Sequence, residues 1–255
     1  MSICVENVSV RFGGVVAVDK VSLEIDPGHI MAVVGPNGSG KSTLFNSISG
    51  LVDLAEGSVS IDGRDVRDLS PSSRVSLGLA RTFQTPRFDP AENVEHAVLC
   101  GFYPRAQAGL MSTMLRLPSS QREEKNLLQS CHAILSDLNL FELRHANLGE
   151  LSMGQVRLVE VARAIANEPK YLLLDEPAAG LSRDEQEMLT NEVRRLARAG
   201  LGVLLVEHNF NLVRELSERV LVLDRGKMML QGLPREIEAD QQFVSLYLGS
   251  AGRAK

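Results

Sequence analysis

The chain has 255 residues, 44% hydrophobic and 23% charged, enough for one large domain, or one domain with an inserted subdomain, around a sizeable core. A formal net charge of −5 and the lack of a basic stripe argue against nucleic acid as the main partner. Cys4, Cys100 and Cys131 lie far apart without C-x-x-C spacing, which suggests reduced thiols of a cytosolic protein rather than a zinc site or a disulfide framework.

Residues 3 to 25 carry two alternating patterns, Ile3, Val5, Val8 and Val10 with a break between, then Val21, Leu23 and Ile25. Such alternation predicts half-buried antiparallel strands. Arg11-Phe12-Gly13-Gly14 is read as the turn between them, and Phe12 either stacks on a base or packs into that turn. The N-terminus lacks the long apolar core of a signal peptide, and no apolar run approaches the roughly 20 residues that span a bilayer. If the protein works at a membrane, another chain holds it there.

Asp26-Pro27-Gly28 signals a turn into Ile30 to Val34, an unbroken apolar run typical of a parallel strand buried on both faces. Gly35-Pro36-Asn37-Gly38-Ser39-Gly40-Lys41-Ser42-Thr43 follows, in the G-x-x-x-x-G-K-S pattern of a P-loop. Its glycines let the backbone aim N–H groups at a phosphate, and a helix over 42–49, with Gly50 as its C-terminal cap, adds its positive end. Lys41 is placed to reach the β- and γ-phosphates and the Ser42 hydroxyl to ligate Mg²⁺.

Gly57 to Gly63 reads as a further short strand between glycine turns, and Leu77 to Gln84 as an apolar stretch ending in a glutamine. Gln84 is a solvated strand end unless it points at the phosphate site. From 85 to about 165 strand patterns vanish, four prolines divide the segment, and helical spacing appears at Leu127, Leu128, Cys131, Ile134, Leu135 and Leu138. Residues 102 to 122 are the least periodic part; Met111, Met114 and Leu115 there either pack locally or meet a partner. Ser152 and Gln155 have capping-box spacing at the start of a helix that Asn167-Glu168-Pro169 ends. Gly154, costly in a first turn by about 1 kcal/mol, suggests close approach of the backbone to a ligand.

Tyr171 to Asp175 is an apolar strand followed by Glu176, and two adjacent carboxylates there call for a shared cation or proton. Asp175 suits a Mg²⁺ anchor, and Glu176 a base or orienter for an attacking water. Gly202 to Val206 is another buried strand running into Glu207-His208, where the histidine is either structural or catalytic. Residues 183–198 predict a covering helix, 219–232 a hairpin around Asp224-Arg225-Gly226, and 233–255 a helical tail. No internal repeat is visible, so the chain reads as one nucleotide-binding unit.

Taken in order, GPNGSGKS, Gln84, LSMGQ, LLLDE and His208 resemble the motif series of ABC-transporter ATPase subunits, from Phe12 to about Gly249. Finer features, Gly78 to Gln84, Glu176-Pro-Ala-Ala-Gly-Leu181, Glu207-His-Asn209 and Tyr247-Leu-Gly249, resemble the branched-chain amino acid uptake subfamily. The resemblance implies an α/β fold: a P-loop ATPase core over 1–85 and 166–232, with an antiparallel β subdomain, a helical subdomain inserted at 86–165, and a helical tail over 233–255. It implies ATP and Mg²⁺ as ligands. Phe12 would stack on adenine, and Gly35 through Thr43 would hold the phosphates. Ser42, Gln84 and Asp175 would hold Mg²⁺, Glu176 would act as base, and His208 would be the γ-phosphate switch. Ser152, Gly154 and Gln155 would contact the γ-phosphate of an opposite subunit.

Implied partners are a second ATPase subunit, identical or paralogous, membrane-spanning permease subunits and, indirectly, an extracytoplasmic binding protein. Implied location is the cytoplasmic face of the membrane. Two departures stand out: Met153 replaces the commoner glycine, and Ser182 stands where many such ATPases carry aspartate. Rival expectations are a lipid or lipopolysaccharide exporter ATPase and a non-transport ABC ATPase; LSMGQ argues against a third, a small-molecule P-loop kinase.

Overall fold

A computed structural model describes residues 1–83, 88–105 and 118–251, the side chains of 104–105, 118–121 and 247–251 excepted. Gln84, Met111, Met114, Leu115 and the last four residues of the tail lie outside the described residues. The chain forms two compact units, one of residues 1–81, 170–176 and 194–255, the other of 82–169 and 177–193.

The first unit carries two sheets. Strands β1 (Ile3–Phe12), β2 (Val15–Ile25), β4 (Glu56–Ile61) and β5 (Arg64–Asp65) pair antiparallel in the order β2-β1-β4-β5. The break in the β1 pattern is a bulge: register shifts fall between Val5 and Val8, with Asn7 left-handed at φ 48°. Phe12 belongs to the strand, paired with Val15, so the turn is only Gly13-Gly14.

The second sheet has the order β10-β9-β3-β8-β7-β6, from β3 (Ile30–Val34), β6 (Leu79–Arg81), β7 (Tyr171–Asp175), β8 (Gly202–Val206), β9 (Arg219–Asp224) and β10 (Lys227–Gly232). Its strands are parallel except β10, which returns from β9 through a turn with positive φ at both Arg225 and Gly226. Every residue of β3, β7 and β8 is buried, which is why their sequences are unbroken apolar runs.

Helix α1 (Lys41–Ile48) packs Leu44, Phe45 and Ile48 into a core shared with Val5, Val21, Val33 and Leu173. Each such fully buried side chain contributes about 1.5–3 kcal/mol. The helix ends in a Schellman motif: the Leu51 amide donates to Asn46 O at 2.8 Å and the Gly50 amide to Ser47 O at 3.2 Å. Arg74 of α2 (Pro71–Ser76), a helix absent from the sequence reading, also meets carbonyls at this end. Its buried guanidinium donates to Ser47 O at 2.8 Å, Ile48 O at 2.7 Å and Leu69 O at 3.2 Å.

In the second unit, α3 (Val94–Leu99), α4 (Pro118–Asp137) and α5 (Met153–Ile165) are the principal helices. Cys131, Leu135 and Leu138 are buried along the predicted apolar face, and left-handed Asn139 ends it. Helix α6 (Arg183–Arg198) starts in this unit and finishes in the first. The tail forms α8 (Pro234–Ala239) and α9 (Gln241–Ala251), preceded by α7 (Phe210–Leu216), and Phe243 stacks on Phe210 at 4.7 Å between ring centroids.

Because Arg74 satisfies carbonyls at the end of the P-loop helix, Arg74→Ala leaves buried acceptors unmet. We expect a loss of about 3 kcal/mol in unfolding free energy, read as a lower urea midpoint at unchanged m-value.

Candidate functional site

The residues between β3 and α1 make a cradle for an anion. Gly38 and Gly40 are left-handed at φ 78° and 102°, and a Cβ on Gly40 would lie 2.4 Å from Ala17 O, so the loop can pass beside the β2 strand only as glycine. Gly40 is also the N-cap of α1 and supplies no side-chain cap. The first helical bond, Leu44 N–H to Gly40 O, is 2.9 Å long. The amides of residues 41–43 precede it, so they lack an intrahelical acceptor and sit at the positive end of the helix. A phosphate matches them in charge and in hydrogen-bonding sense.

Lys41 is buried, and its ammonium donates to Gly35 O at 2.8 Å and Pro36 O at 3.0 Å. Burial pushes its pKa down, while Glu176 and Asp175 pull it back up. The loop carbonyls thus hold the cation over the cradle, where phosphate oxygens would be stronger acceptors.

The facing acids are positioned by register. Asp175 pairs with Val206, and Val206 with Val33, so the carboxyl ends of β7, β8 and β3 finish level with one another. Open parallel sheets bind ligands at that edge. Asp175 is buried; desolvation raises its carboxyl pKa, Glu176 adds to the rise, and Arg81 and Lys41 oppose it. Arg81 donates to Asp175 Oδ2 at 3.3 Å, to Asn46 Oδ1 at 2.8 Å and to Ser49 Oγ at 2.7 Å. It thereby ties the acid to α1. This residue was missed in the sequence, where it looks like one more surface arginine.

Glu176 is left-handed at φ 47°, an unfavourable conformation for a non-glycine residue, and its amide donates to Val206 O at 2.9 Å. The chain therefore turns sharply just after Asp175, setting the second carboxylate at the sheet edge. His208 stands exposed past the end of β8; its amide donates to the buried Glu207 carboxylate at 3.3 Å. Phe12 is 52% exposed at the hairpin tip. Oxygen donors from Ser42 and Asp175 suit a hard cation such as Mg²⁺, so the residues present fit that ion.

The second unit holds the LSMGQ segment. Ser152 Oγ accepts the Gln155 amide at 3.1 Å and Gln155 Oε1 accepts the Ser152 amide at 2.9 Å, the reciprocal capping box expected from the spacing. The close approach that Gly154 requires is met within the unit itself: a Cβ there would lie 2.7 Å from Glu185 Oε2 and 3.1 Å from Leu181. Ser182 has a structural reason of its own. Its amide donates to Glu185 Oε2 at 2.7 Å and its hydroxyl accepts from the Glu185 amide at 3.3 Å, capping α6. Glu160, buried on α5, accepts the Phe83 amide at 2.7 Å, one residue before Gln84. Nothing in the local pattern distinguishes that glutamate from a solvated one.

These features can be set beside known proteins. The family described as ABC transporter matches residues 18–179. The high-affinity branched-chain amino acid transport ATP-binding protein BraF of Pseudomonas aeruginosa is 30% identical over 248 residues, 97% of each chain. LivG of Escherichia coli, of the same description, is 32% identical over 248 residues, again 97% of each. Among solved structures, a nucleotide-free ATP-binding cassette from an ABC transporter matches with a TM-score of 0.84 and 31% identity, over 97% of this chain and 99% of that one. A dimeric bacterial ABC transporter cassette matches with a TM-score of 0.79 and 25% identity, over 91% and 99%. Agreement along nearly the whole length, in residues and in backbone, means that the chain belongs to the ABC transporter family as one of its nucleotide-binding ATPase cassettes.

Proposed function

We propose that this cassette hydrolyses Mg-ATP to energise uptake of branched-chain or related hydrophobic amino acids. It would work as one of two ATPase subunits seated on the cytoplasmic side of membrane-spanning permease subunits that receive substrate from a binding protein. The observation that carries the ATPase part is the level finish of β3, β7 and β8, which ends the strand before the P-loop beside the strand that closes in Asp175 and Glu176. The transport part is supported by near full-length similarity to subunits described for branched-chain amino acids. No helix among the described residues is long and apolar enough to cross a membrane, so attachment through permease subunits is the arrangement that fits.

In this reading the amides of Gly38 through Thr43 and the Lys41 ammonium bind the phosphates, and the Phe12 ring stacks on adenine. Ser42, Gln84 and Asp175 hold Mg²⁺, which when bound supplies charge neutralisation at the phosphates. Glu176 accepts a proton from water as its oxygen bonds to the γ-phosphorus. The bond from that phosphorus to the β–γ bridging oxygen breaks, and ADP leaves. Lys41 and the α1 amides stabilise the charge on the transferring group, and His208 donates to a γ-phosphate oxygen. Ser152, Gly154 and Gln155 serve the nucleotide of the partner subunit.

Glu176→Gln removes the proton acceptor and keeps size and shape. Turnover should fall on the order of 10²-fold or more, while a fluorescent ATP analogue binds as before; near-normal hydrolysis removes Glu176 from the base role. Arg81→Met leaves the buried Asp175 carboxylate without its guanidinium, at a cost of about 3 kcal/mol in denaturant unfolding. Arg81→Lys, retaining the charge, should lose less. For the transport reading, affinity-tagged chain purified from gently solubilised native membranes should carry two multi-span proteins, and vesicles containing that complex should accumulate radiolabelled leucine only with ATP. Capture of a lone lipid-handling membrane protein, with no leucine uptake, would assign the same ATPase to an exporter.

A further inference from the structure

We propose that Glu92 just before α3, His96 within it and Cys100 at its C-cap, spaced four residues apart, form a binding site for a divalent cation of the Zn²⁺ class. A carboxylate oxygen, a ring nitrogen and a sulfur from these residues all lie within 4.8 Å of one another. His96 Nδ1 is 2.8 Å from Glu92 Oε1, and Cys100 Sγ is 3.9 Å from the same oxygen. Around a tetrahedral zinc with bonds of roughly 2.0 Å to oxygen and nitrogen and 2.3 Å to sulfur, neighbouring donors sit roughly 3.3–3.6 Å apart. The three groups therefore reach coordinating distance by small side-chain rotations, with the backbone unchanged. Water would complete the fourth position.

That backbone is fixed independently of any ion. The Glu92 amide donates to Asp89 O at 3.0 Å and its carbonyl accepts from Leu148 N at 2.8 Å. Asn93 caps α3 through the His96 amide at 2.8 Å. Cys100 closes the helix, its amide bonded back to His96 O and Val98 O. The next residue, Gly101, is pressed so tightly on α5 that a Cβ would lie 2.2 Å from Arg163 O, and Phe102 is buried. All three donors thus stand on pinned positions, the condition under which a small site binds with little ordering cost.

The donor set selects the ion. A borderline imidazole and a soft thiolate beside one carboxylate favour Zn²⁺ over Mg²⁺ or Ca²⁺, which take oxygen ligands. Glu92 is partly buried and His96 and Cys100 exposed, so an ion can enter from solvent. The Cys100 side chain is a thiol before it meets a metal. Binding forms the metal–thiolate bond and releases the thiol proton, and the ion's two positive charges then balance the thiolate and the carboxylate. The spacing escapes a search for paired cysteines because it uses only one.

Co²⁺ is the probe, added in steps to the reduced full-length protein with Mg²⁺ present and no nucleotide. A thiolate-to-cobalt charge-transfer absorption should saturate at one equivalent and be displaced by Zn²⁺. Cys100→Ser should abolish it, Cys4→Ser and Cys131→Ala should keep it, and His96→Ala and Glu92→Gln should each weaken cobalt affinity at least tenfold, with ATPase activity of Cys100→Ser unchanged. No absorption in the wild type, absorption surviving in Cys100→Ser, or unaltered affinity in His96→Ala would each overturn the site.

Discussion

Asp175 places an ionisable carboxyl group at the end of a strand buried on both faces, and the first unit is built around compensating it. Desolvation opposes its charge, so the fold must bring cations to it, and Arg81 and Lys41 do so from two different elements. Each cation has other work. Arg81 reaches Asn46 and Ser49 on α1, and Lys41 holds the carbonyls of the loop that precedes that helix. One buried charge thereby fixes the relative position of β7, β6 and the P-loop helix. Replacing it with an apolar residue would relieve the electrostatics and remove the reason for the arrangement.

The parallel core was legible in the sequence because β3, β7 and β8 are buried on both faces and leave no polar alternation to misread. Asp175 and Glu176 were legible for the same reason, since a carboxylate closing such a run has to face an edge, while Lys41 was legible through the P-loop pattern that follows β3. Helix α2 was not. It is six residues long with only Arg74 buried, so it shows no apolar period, and its anchoring is done by a cation. Arg81, Glu160 and Glu185 were hidden likewise, because the partners that explain them are distant in sequence or belong to the backbone.

Gly154 shows how propensity can signal crowding without naming its cause. Its cost in a first helical turn suggested close approach of the backbone to a ligand, and the structure sets the side chains of Glu185 and Leu181 against it. The same Glu185 completes the cap at Ser182, so the segment in which aspartate is commoner among such ATPases is held here by a serine–glutamate exchange. The LSMGQ turn and the start of α6 are consequently one packed block within the second unit.

The chain passes from the first unit to the second directly after Arg81 and again directly after Glu176. Both crossings therefore leave from residues at the carboxyl edge of the parallel sheet: one from the guanidinium that holds Asp175, the other from the left-handed residue proposed as base. The first crossing is secured on arrival, where the buried Glu160 accepts the Phe83 amide. A strained φ at Glu176 is tolerable in such a place because the bond from its amide to Val206 fixes the conformation.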